Sequence, residues 1–449
     1  MLKPGHSKKI QTRPKKLLKK DRTSNTVPSK TFDDENLKCF FRAPVIPNKL
    51  EESILAYISK KTGKPWNDPQ TISKIQHYIR IQKDEYWQEA GKRKISYVKG
   101  YRVFSYLTYH LPVYFIQFEH LLFRLISGSY IPEKFILVDM GSGPGVVTLA
   151  TADLIHRRGK GYAEIYAFEK APENIEAYNF LVSSFTGKRE DLRIHNPVEK
   201  DITTLQTEDL PQKIDLLVFQ NVLCELSDIS IKEKALLIRR FRENLGKEGI
   251  LLLVEPAELE NSTKLREIER ELKKNGFKTI SPCPKIMGDR CTDPTCWTFK
   301  TEYPLWAPEF DKVLAAGAEG YRFMNTDIKY SYSILKQDDG FFFQPGYKNY
   351  IPCSSLKLYV GRRVRIIGSV MSQDIGDKKH HIFKVCDGTA RNSVYVILPH
   401  YHISQNNNAL LKSSYGEIFR FDPVFVRINK AYGSINLLIS KETRISKEK

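Results

Sequence analysis

The chain has 449 residues, 71 Lys or Arg against 52 Asp or Glu, and a formal net charge of +19. This length allows two or three domains with substantial cores, and the basic excess favours a polyanionic partner, most economically nucleic acid. The sequence has no apolar run of about 18 residues and no apolar signal core at its N-terminus, which argues against a membrane span and against secretion.

Residues 1–35 are predicted to be a disordered basic arm. Residues 1–30 carry ten Lys or Arg with a single acid, Asp21, and few apolar residues. Such a composition buries too little apolar surface to fold alone, and it is similar to that of basic tails that enter RNA. An organelle transit peptide is the alternative, which the lysine content and the lack of an amphipathic stripe disfavour.

Residues 36–130 are predicted to be helical, because residues 50–60 and 113–126 carry apolar side chains at helical spacing. The aromatic-rich run 101–112 within this region has two interpretations. It is either a stacking platform for bases or a helical cap packed over a cofactor cleft. Aromatic residues at helical spacing usually belong to a core, so the packing interpretation is favoured.

The most informative run spans residues 136–145, where apolar residues end in Asp139 and are followed by Gly141, Gly143 and Gly145. This pattern predicts a buried strand that turns sharply into a helix. Glycine is needed because the turn requires positive φ and the backbone must approach a ligand closely. The spacing differs from the dinucleotide fingerprint and resembles motif I of S-adenosylmethionine-dependent methyltransferases. A glycine-rich loop without a ligand is the alternative.

The segments after this turn predict a βαβ unit. Residues 146–158 indicate a helix that ends at Gly159, and residues 164–169 indicate a second strand ending in Glu169. An acidic residue at this place can accept hydrogen bonds from both ribose hydroxyls of a cofactor. An ordinary solvated carboxylate at a strand end is the alternative.

Two further apolar runs, 214–219 and 249–254, predict strands that helices cover on both faces. The first of them leads into Asn221. A doubly wound α/β sheet is therefore expected over residues 131–355, with its cleft at the carboxyl ends of the strands. The expected cofactor-binding residues are Asp139, Gly141, Gly143, Gly145, Glu169 and Asn221.

Three of the seven cysteines, Cys283, Cys291 and Cys296, lie in a loop rich in Pro and Gly within residues 281–300. Such a loop is suited to wrapping a metal, and Cys353 is the best candidate for a fourth ligand. The spacing alone does not decide between zinc and an iron–sulfur cluster. The other three cysteines are predicted to be small buried side chains: Cys39, Cys224 and Cys386.

Several motifs together carry a family resemblance: residues 106–112, 139–145, 221–226, 254–256, the cysteine loop through Phe299, residues 331–335 and Cys353. In this order they resemble the methyltransferase-like proteins of the mitochondrial small ribosomal subunit, the ribosomal small-subunit protein 22 family, over about residues 45–355. Lys285 and Cys224 depart from the family pattern, which usually has His and Gly there.

The resemblance implies a class I methyltransferase fold of seven strands that takes S-adenosylmethionine. It also implies association with small-subunit ribosomal RNA during assembly, and a [4Fe–4S] cluster. By position, the cluster ligands implied are Cys283, Cys291, Cys296 and Cys353.

Residues 356–449 predict a β-rich module to which this resemblance does not extend. Five alternating segments indicate short strands, as in an oligonucleotide-binding (OB) fold: 361–371, 381–386, 392–398, 417–429 and 433–440. A small barrel used for protein packing is the alternative. The candidate contacts for single-stranded nucleic acid are cationic and aromatic: Arg362, Arg363, Arg365, Lys384, Tyr395, Arg427 and Lys430.

The favoured hypothesis is an iron–sulfur, methyltransferase-like factor that acts in small-subunit assembly or translation through ribosomal RNA. We expect it to be monomeric away from the ribosome, not bound to membranes, and cytoplasmic, with the mitochondrion as the alternative location. An active RNA methyltransferase supplied with single strands by the barrel is the second hypothesis, and a non-catalytic RNA-binding scaffold is the third. No residue is assigned a catalytic role.

Overall fold

The computed structural model describes residues 34–86, 100–283, 286–288, 291, 293, 296–316, 319–337 and 349–448. The basic arm lies outside these residues except for its last two positions. The α-helices of the described chain have these bounds: α1 Asp34–Phe40, α2 Asn48–Thr62, α3 Pro69–Tyr86, α4 Gly100–Ser105, α5 Leu111–Ser127, α6 Val146–Arg158, α7 Pro172–Thr186, α8 Ile231–Arg240, α9 Leu259–Lys274 and α10 Glu309–Leu314.

The strands fall into two sheets. The first sheet contains β1 Lys134–Met140, β2 Tyr162–Glu169, β3 Leu192–Ile194, β4 Val198–Glu199, β5 Ile214–Gln220, β6 Leu245–Pro256, β7 Phe277–Ser281, β8 Lys300–Thr301 and β9 Lys329–Gln337. The second sheet contains β10 Arg363–Val370, β11 His380–Cys386, β12 Val394–Pro399, β13 Ile418–Asn429, β14 Ser434–Leu438 and β15 Arg444–Lys447.

The N-terminal part is helical, and its aromatic run is part of the core. A single π-helical turn, Tyr106–His110, joins α4 to α5, and Phe104 before it and Leu107 within it are buried. Helix α5 is buried along almost its whole length and packs against α6. The packing interpretation of the aromatic run therefore holds, although Tyr106 also reaches the cleft described below. None of the described helices is both long and apolar enough to cross a membrane.

The first sheet has the strand order β3-β2-β1-β5-β6-β9-β7. Strands β1, β2, β3, β5 and β6 run parallel, and β9 lies antiparallel between β6 and β7. Continuous apolar strands suit this arrangement because helices cover both faces and two hydrophobic clusters form, one on each side. The prediction of a seven-stranded class I methyltransferase sheet is confirmed.

The second sheet closes into a five-stranded barrel in the order β10-β11-β12-β14-β13, with β13 paired back to β10. Strands β12 and β14 are parallel and the other pairs are antiparallel. At Gly368 in β10, a Cβ would come within 3.3 Å of the Cys386 carbonyl oxygen. The register of β10 against β13 shifts between Val364 and Ile366. This connectivity confirms the OB-like prediction, and β15, which pairs with the outer edge of β13, is an addition to it.

The barrel packs directly on the methyltransferase domain. The Ser369 hydroxyl donates a hydrogen bond to the Pro282 carbonyl at 3.1 Å, and the Met287 amide donates to the Asp387 carbonyl at 3.0 Å. The rings of Tyr332 and Tyr415 meet edge to face with centroids 5.7 Å apart. One hydrophobic cluster runs through both domains, so they form a continuous core.

Candidate functional site: a glycine-lined cleft and a cysteine pocket

The glycine turn after β1 forms one wall of a cleft at the carboxyl ends of the strands. Gly141, Gly143 and Gly145 have φ values of +73°, +54° and +96°. A Cβ on Gly141 would lie 2.5 Å from Val222, and one on Gly145 would lie 2.9 Å from the Tyr178 ring. A Cβ on Gly143 would meet nothing within 4 Å, because this residue faces the open cleft. Packing therefore requires the outer two glycines, while the middle one leaves room for a ligand.

Glu169, at the end of β2, braces this turn. One of its carboxylate oxygens accepts a hydrogen bond from the Gly143 amide at 2.8 Å, and the other accepts one from the Ala171 amide at 2.8 Å. A carboxylate has about four acceptor positions, so Glu169 keeps capacity to bind hydroxyl groups in the cleft. Its side chain is largely buried, which fixes its orientation.

Asp139 lies at the end of β1 beneath the same turn and is fully enclosed. Burial raises the pKa of its carboxyl well above the ordinary value, and the charge of Glu169 raises it further. Its Oδ2 atom has no hydrogen-bond partner within the described chain. Buried polar atoms are normally paired, so this orphaned oxygen marks a place where a ligand or a water is needed.

The loop after β5 forms the opposite wall. Asn221 has a φ of +56°, and neither polar atom of its side chain has a partner among the described residues. Glu255, at the end of β6, accepts hydrogen bonds from the amides of Leu223 at 3.0 Å and Cys224 at 3.1 Å. Burial raises the pKa of Glu255 to about 7. Glu255, the acid of the Val-Glu-Pro motif, thus fixes the loop and does not face the cleft.

The cleft is partly open to solvent and has a volume of about 90 Å³. Of the six residues predicted to bind a cofactor, Gly141, Gly143, Glu169 and Asn221 line it directly, whereas Asp139 and Gly145 support the turn from below. The sequence analysis missed Lys200, Asp201 and Ile202, which follow the two-residue strand β4. The remaining lining residues are Tyr106, Pro144, Lys170, Asn174, Gln220, Val222, Glu225 and Leu226.

A second pocket, of about 40 Å³, lies between α9 and the barrel and is called the cysteine pocket below. Cys283, Cys291 and Cys296 from the loop line it together with Cys386 from β11. Cys353 lies close by, since its thiol interacts electrostatically with Cys283 and Cys386. Among the described residues, no group of three or more His, Cys, Asp or Glu side chains has the arrangement of a metal site.

The remaining cysteines differ from their predictions in two cases. Cys39 is exposed, so the prediction that it is buried is wrong. Cys224 is half-buried beside the cofactor cleft, and its thiol lies 3.7 Å from the Asn221 carbonyl oxygen. Cys386 is buried, but it lies against the cysteine loop and not in a purely apolar core.

The structure also corrects the prediction that Lys384 contacts RNA, because its side chain is not accessible. Its side chain is buried, and its ammonium group lies 3.9 Å from the Cys296 sulfur. The apolar surroundings disfavour the charged form, but the nearby Cys296 and Asp293 outweigh them and raise the pKa of Lys384. Arg266 of α9, also buried, lies on the other side of the cysteine pocket and pairs with Glu269 at 2.7 Å.

The other proposed nucleic-acid contacts lie on the outer surface of the barrel. Tyr395 and Arg427 both pair with Asn436, which places them in one row across β12, β14 and β13. Arg363 pairs with Phe425, whose ring is 38% exposed. The exposed cations of this surface are Arg362, Arg363, Arg365, Arg427 and Lys430.

Comparison with known proteins gives two family matches. Residues 101–303 match the model of Mitochondrial small ribosomal subunit Rsm22. Residues 354–448, which contain the barrel, match the C-terminal domain of a domain of unknown function (DUF8157). A search of curated proteins found no match.

Three methyltransferase structures are similar to this chain. A TehB-like S-adenosylmethionine-dependent methyltransferase of Corynebacterium glutamicum is 15% identical, with 36% of this chain and 73% of that chain covered and a TM-score of 0.26. Magnesium protoporphyrin IX methyltransferase of Synechocystis, solved with S-adenosylhomocysteine, is 12% identical, with coverages of 60% and 100% and a TM-score of 0.32. An rRNA methylase of Streptococcus thermophilus is 13% identical, with coverages of 48% and 95% and a TM-score of 0.27.

Because these TM-scores are low, we assign the fold from the strand order described above and not from these three structures. The match to the ribosomal family is independent of them and covers the glycine turn, both walls of the cleft and the cysteine loop. The resemblance drawn from the sequence motifs is thus confirmed: over residues 101–303 this chain matches the Rsm22 family of the mitochondrial small ribosomal subunit.

Proposed function

We propose that this protein is an S-adenosylmethionine-binding, methyltransferase-like factor that acts on the small ribosomal subunit by binding its RNA. The observation that carries the cofactor proposal is the cradle around Gly143. The open space at this glycine adjoins the Glu169 carboxylate and the unpaired side chain of Asn221, with the unpaired oxygen of Asp139 beneath the turn. These groups fit a ligand that carries hydroxyl and amino groups.

In this proposal the chain's own residues bind and orient the cofactor. The backbone of the glycine turn approaches it closely, Glu169 accepts hydrogen bonds from its ribose hydroxyls, and Asn221 closes the opposite wall. When bound, S-adenosylmethionine supplies an electrophilic methyl group. Burial and the nearby Glu225 hold the pKa of Tyr106 well above its usual range, so this phenol at the cleft stays protonated. Methyl transfer would then depend on positioning the acceptor.

Calorimetric titration with S-adenosylmethionine tests cofactor binding. Gly143→Arg should abolish it, because the new side chain extends into the space in front of the turn. Gly63→Arg is the matched control: Gly63 has a φ of +67° and nothing within 4 Å, so it imposes the same backbone strain away from the cleft. Binding by the wild type and the control but not by Gly143→Arg supports the proposal. No binding by the wild type refutes it.

Transfer of labelled methyl groups to small-subunit ribosomal RNA separates an enzyme from a binding factor. Incorporation that disappears in Gly143→Arg supports the active RNA methyltransferase, which is the second candidate function. Cofactor binding without incorporation supports the assembly factor. RNA binding without cofactor binding supports the scaffold.

We further propose a metal centre in the cysteine pocket, as the family resemblance implies. The donor atoms are of the right kind: Cys283, Cys291 and Cys296 line one pocket, and Cys353 lies near them. Thiolates are the ligands that iron–sulfur clusters and structural zinc prefer. The buried cations Arg266 and Lys384 would offset their negative charge. Such a centre would hold the loop on the domain, because metal binding is coupled to folding.

An anaerobic absorption spectrum with iron, sulfide and zinc analysis tests this centre. About four irons per chain supports the cluster, and one zinc supports the alternative. Cys291→Ser should lower the melting temperature because the loop loses a ligand, with exposed Cys39→Ser as the control. Metal-free wild-type protein purified without oxygen would refute the centre.

RNA binding is proposed for the exposed face of the barrel. The arginines at positions 362, 363, 365 and 427 provide phosphate contacts, and the half-buried Tyr395 offers an aromatic side chain beside them. The net charge of +19 favours the same kind of partner. The name of the matching family refers to mitochondria and so supports the mitochondrial alternative over the cytoplasmic prediction.

A further inference from the structure

The cysteine pocket contains a thiol that the family resemblance leaves out. The implied ligands all precede the barrel, whereas Cys386 is the last residue of β11, inside it. It lines the same pocket as Cys283, Cys291 and Cys296, and its thiol interacts electrostatically with that of Cys283. Cys296, in contrast, has the Lys384 ammonium group 3.9 Å from its sulfur. Cys386 therefore lines the same pocket as three of the implied ligands.

The turn that follows Cys386 is built around this pocket. The Gly388 amide lies 3.4 Å from the Cys386 sulfur and donates a hydrogen bond to it. Amide hydrogen bonds to sulfur stabilise thiolate ligands and adjust the properties of the metal they hold. A φ of +89° at Gly388 gives the turn its shape, a conformation that glycine adopts without strain.

Asp387 connects the same turn to the fourth implied ligand. Its carboxylate accepts a hydrogen bond from the Cys353 amide at 2.7 Å, and its carbonyl accepts one from Met287 in the cysteine loop. The three consecutive residues Cys386, Asp387 and Gly388 thus all act on the pocket. These contacts are additional to the β10–β11 pairing, in which Cys386 lies opposite Ser369.

We propose that Cys386 is one of the four ligands of the metal centre in place of Cys296, whose sulfur has the Lys384 ammonium group beside it. The barrel and the methyltransferase domain then share one thiolate site. The inference rests on the centre proposed above. The occupant is a thiophilic metal, either zinc or an iron–sulfur cluster, and each thiol releases its proton to solvent on binding. The barrel then has a role besides RNA binding: it completes and seals the metal pocket.

Cobalt titration of the anaerobic, metal-free full-length chain tests this assignment. The thiolate-to-cobalt absorption band grows with the number of cobalt–sulfur bonds. Cys386→Ser should lose about a quarter of the band of a tetrahedral site and bind cobalt at least about tenfold more weakly. Cys39→Ser, which changes an exposed thiol, should match the wild type. Cys283→Ser is the positive control, because it removes a ligand that the family resemblance implies independently of Cys386.

The outcomes separate the two proposals. The Cys386 assignment would be overturned if Cys386→Ser kept the full cobalt absorption band and cobalt affinity while Cys283→Ser lost both. The metal centre itself would then still stand. A wild type that binds no cobalt and no iron would overturn both. Circular dichroism checks the fold of each variant. If serine unfolds the chain, Cys386→Ala removes the thiol without burying a hydroxyl, and the same comparison applies.

Discussion

The substitution Asp387→Ala tests whether the turn at residues 386–389 joins the barrel to the rest of the chain. The Asp387 carboxylate is fully buried. It accepts hydrogen bonds from the Cys353 amide at 2.7 Å and from the amide and hydroxyl of Thr389 at 2.8 Å each. Alanine removes all three acceptor contacts and leaves two backbone amides buried without a partner.

A buried donor left without its acceptor costs about 1–3 kcal/mol. The two amides of Cys353 and Thr389 therefore predict a loss of about 2–6 kcal/mol in the free energy of unfolding. Urea unfolding of the metal-free full-length chain, followed by circular dichroism, measures this loss. Using metal-free protein keeps the result independent of any metal centre.

Asp377→Ala is the matched control for this measurement. Its carboxylate accepts the amides of Lys379 at 2.7 Å and His380 at 2.9 Å in a comparable turn. That turn is exposed, so water replaces the lost acceptor and the destabilisation should be clearly smaller. If Asp387→Ala is no more destabilising than Asp377→Ala, the turn does not hold the domains together and the reasoning is wrong.

Two other predictions concern the cleft and the barrel. Glu255 has a pKa of about 7 against an ordinary 4.5, so the folded chain binds more protons than the unfolded chain between these pH values. Its contribution to stability therefore falls by about 3 kcal/mol as pH rises through this range. Glu255→Gln should lack this slope in pH-dependent urea unfolding; parallel profiles would contradict the assignment. For single-stranded RNA, Arg427→Ala should reduce the salt dependence of binding by about 0.7 per lost phosphate contact, whereas Lys384→Ala should not. If both variants reduced the salt dependence equally, Lys384 would be shown to contact RNA, contrary to this prediction.

The sequence predicts the glycine turn well because its determinants are local. An apolar strand, three glycines and a helix lie within some twenty residues, and α6 has the bounds 146–158 expected for it. The strands of the barrel are also recovered, since alternation of buried and exposed residues is a property of each strand alone. Asp201 was missed, although an acid soon after a short strand is the same signal that identified Glu169.

What the sequence does not predict is contact between distant segments. Cys386 follows Cys283 by more than a hundred positions, and only the docking of the barrel brings the two thiols together. Lys384 is predicted to contact RNA because it is a cation on one of the predicted barrel strands. It is indeed outside the barrel, but that part of the outer surface is covered by the cysteine loop. Burial by another domain leaves no pattern in the strand itself.

The position of β9 between β6 and β7 has a consequence for synthesis of the chain. Residues 250–254 of β6 are fully apolar, and β9, which pairs with them, follows about eighty residues later. Until residues 329–337 leave the ribosome, this edge of the nascent sheet has no neighbour, and unpaired apolar edges promote aggregation. A truncated chain that ends before residue 329 should therefore be insoluble even though it contains the complete glycine turn and cysteine loop.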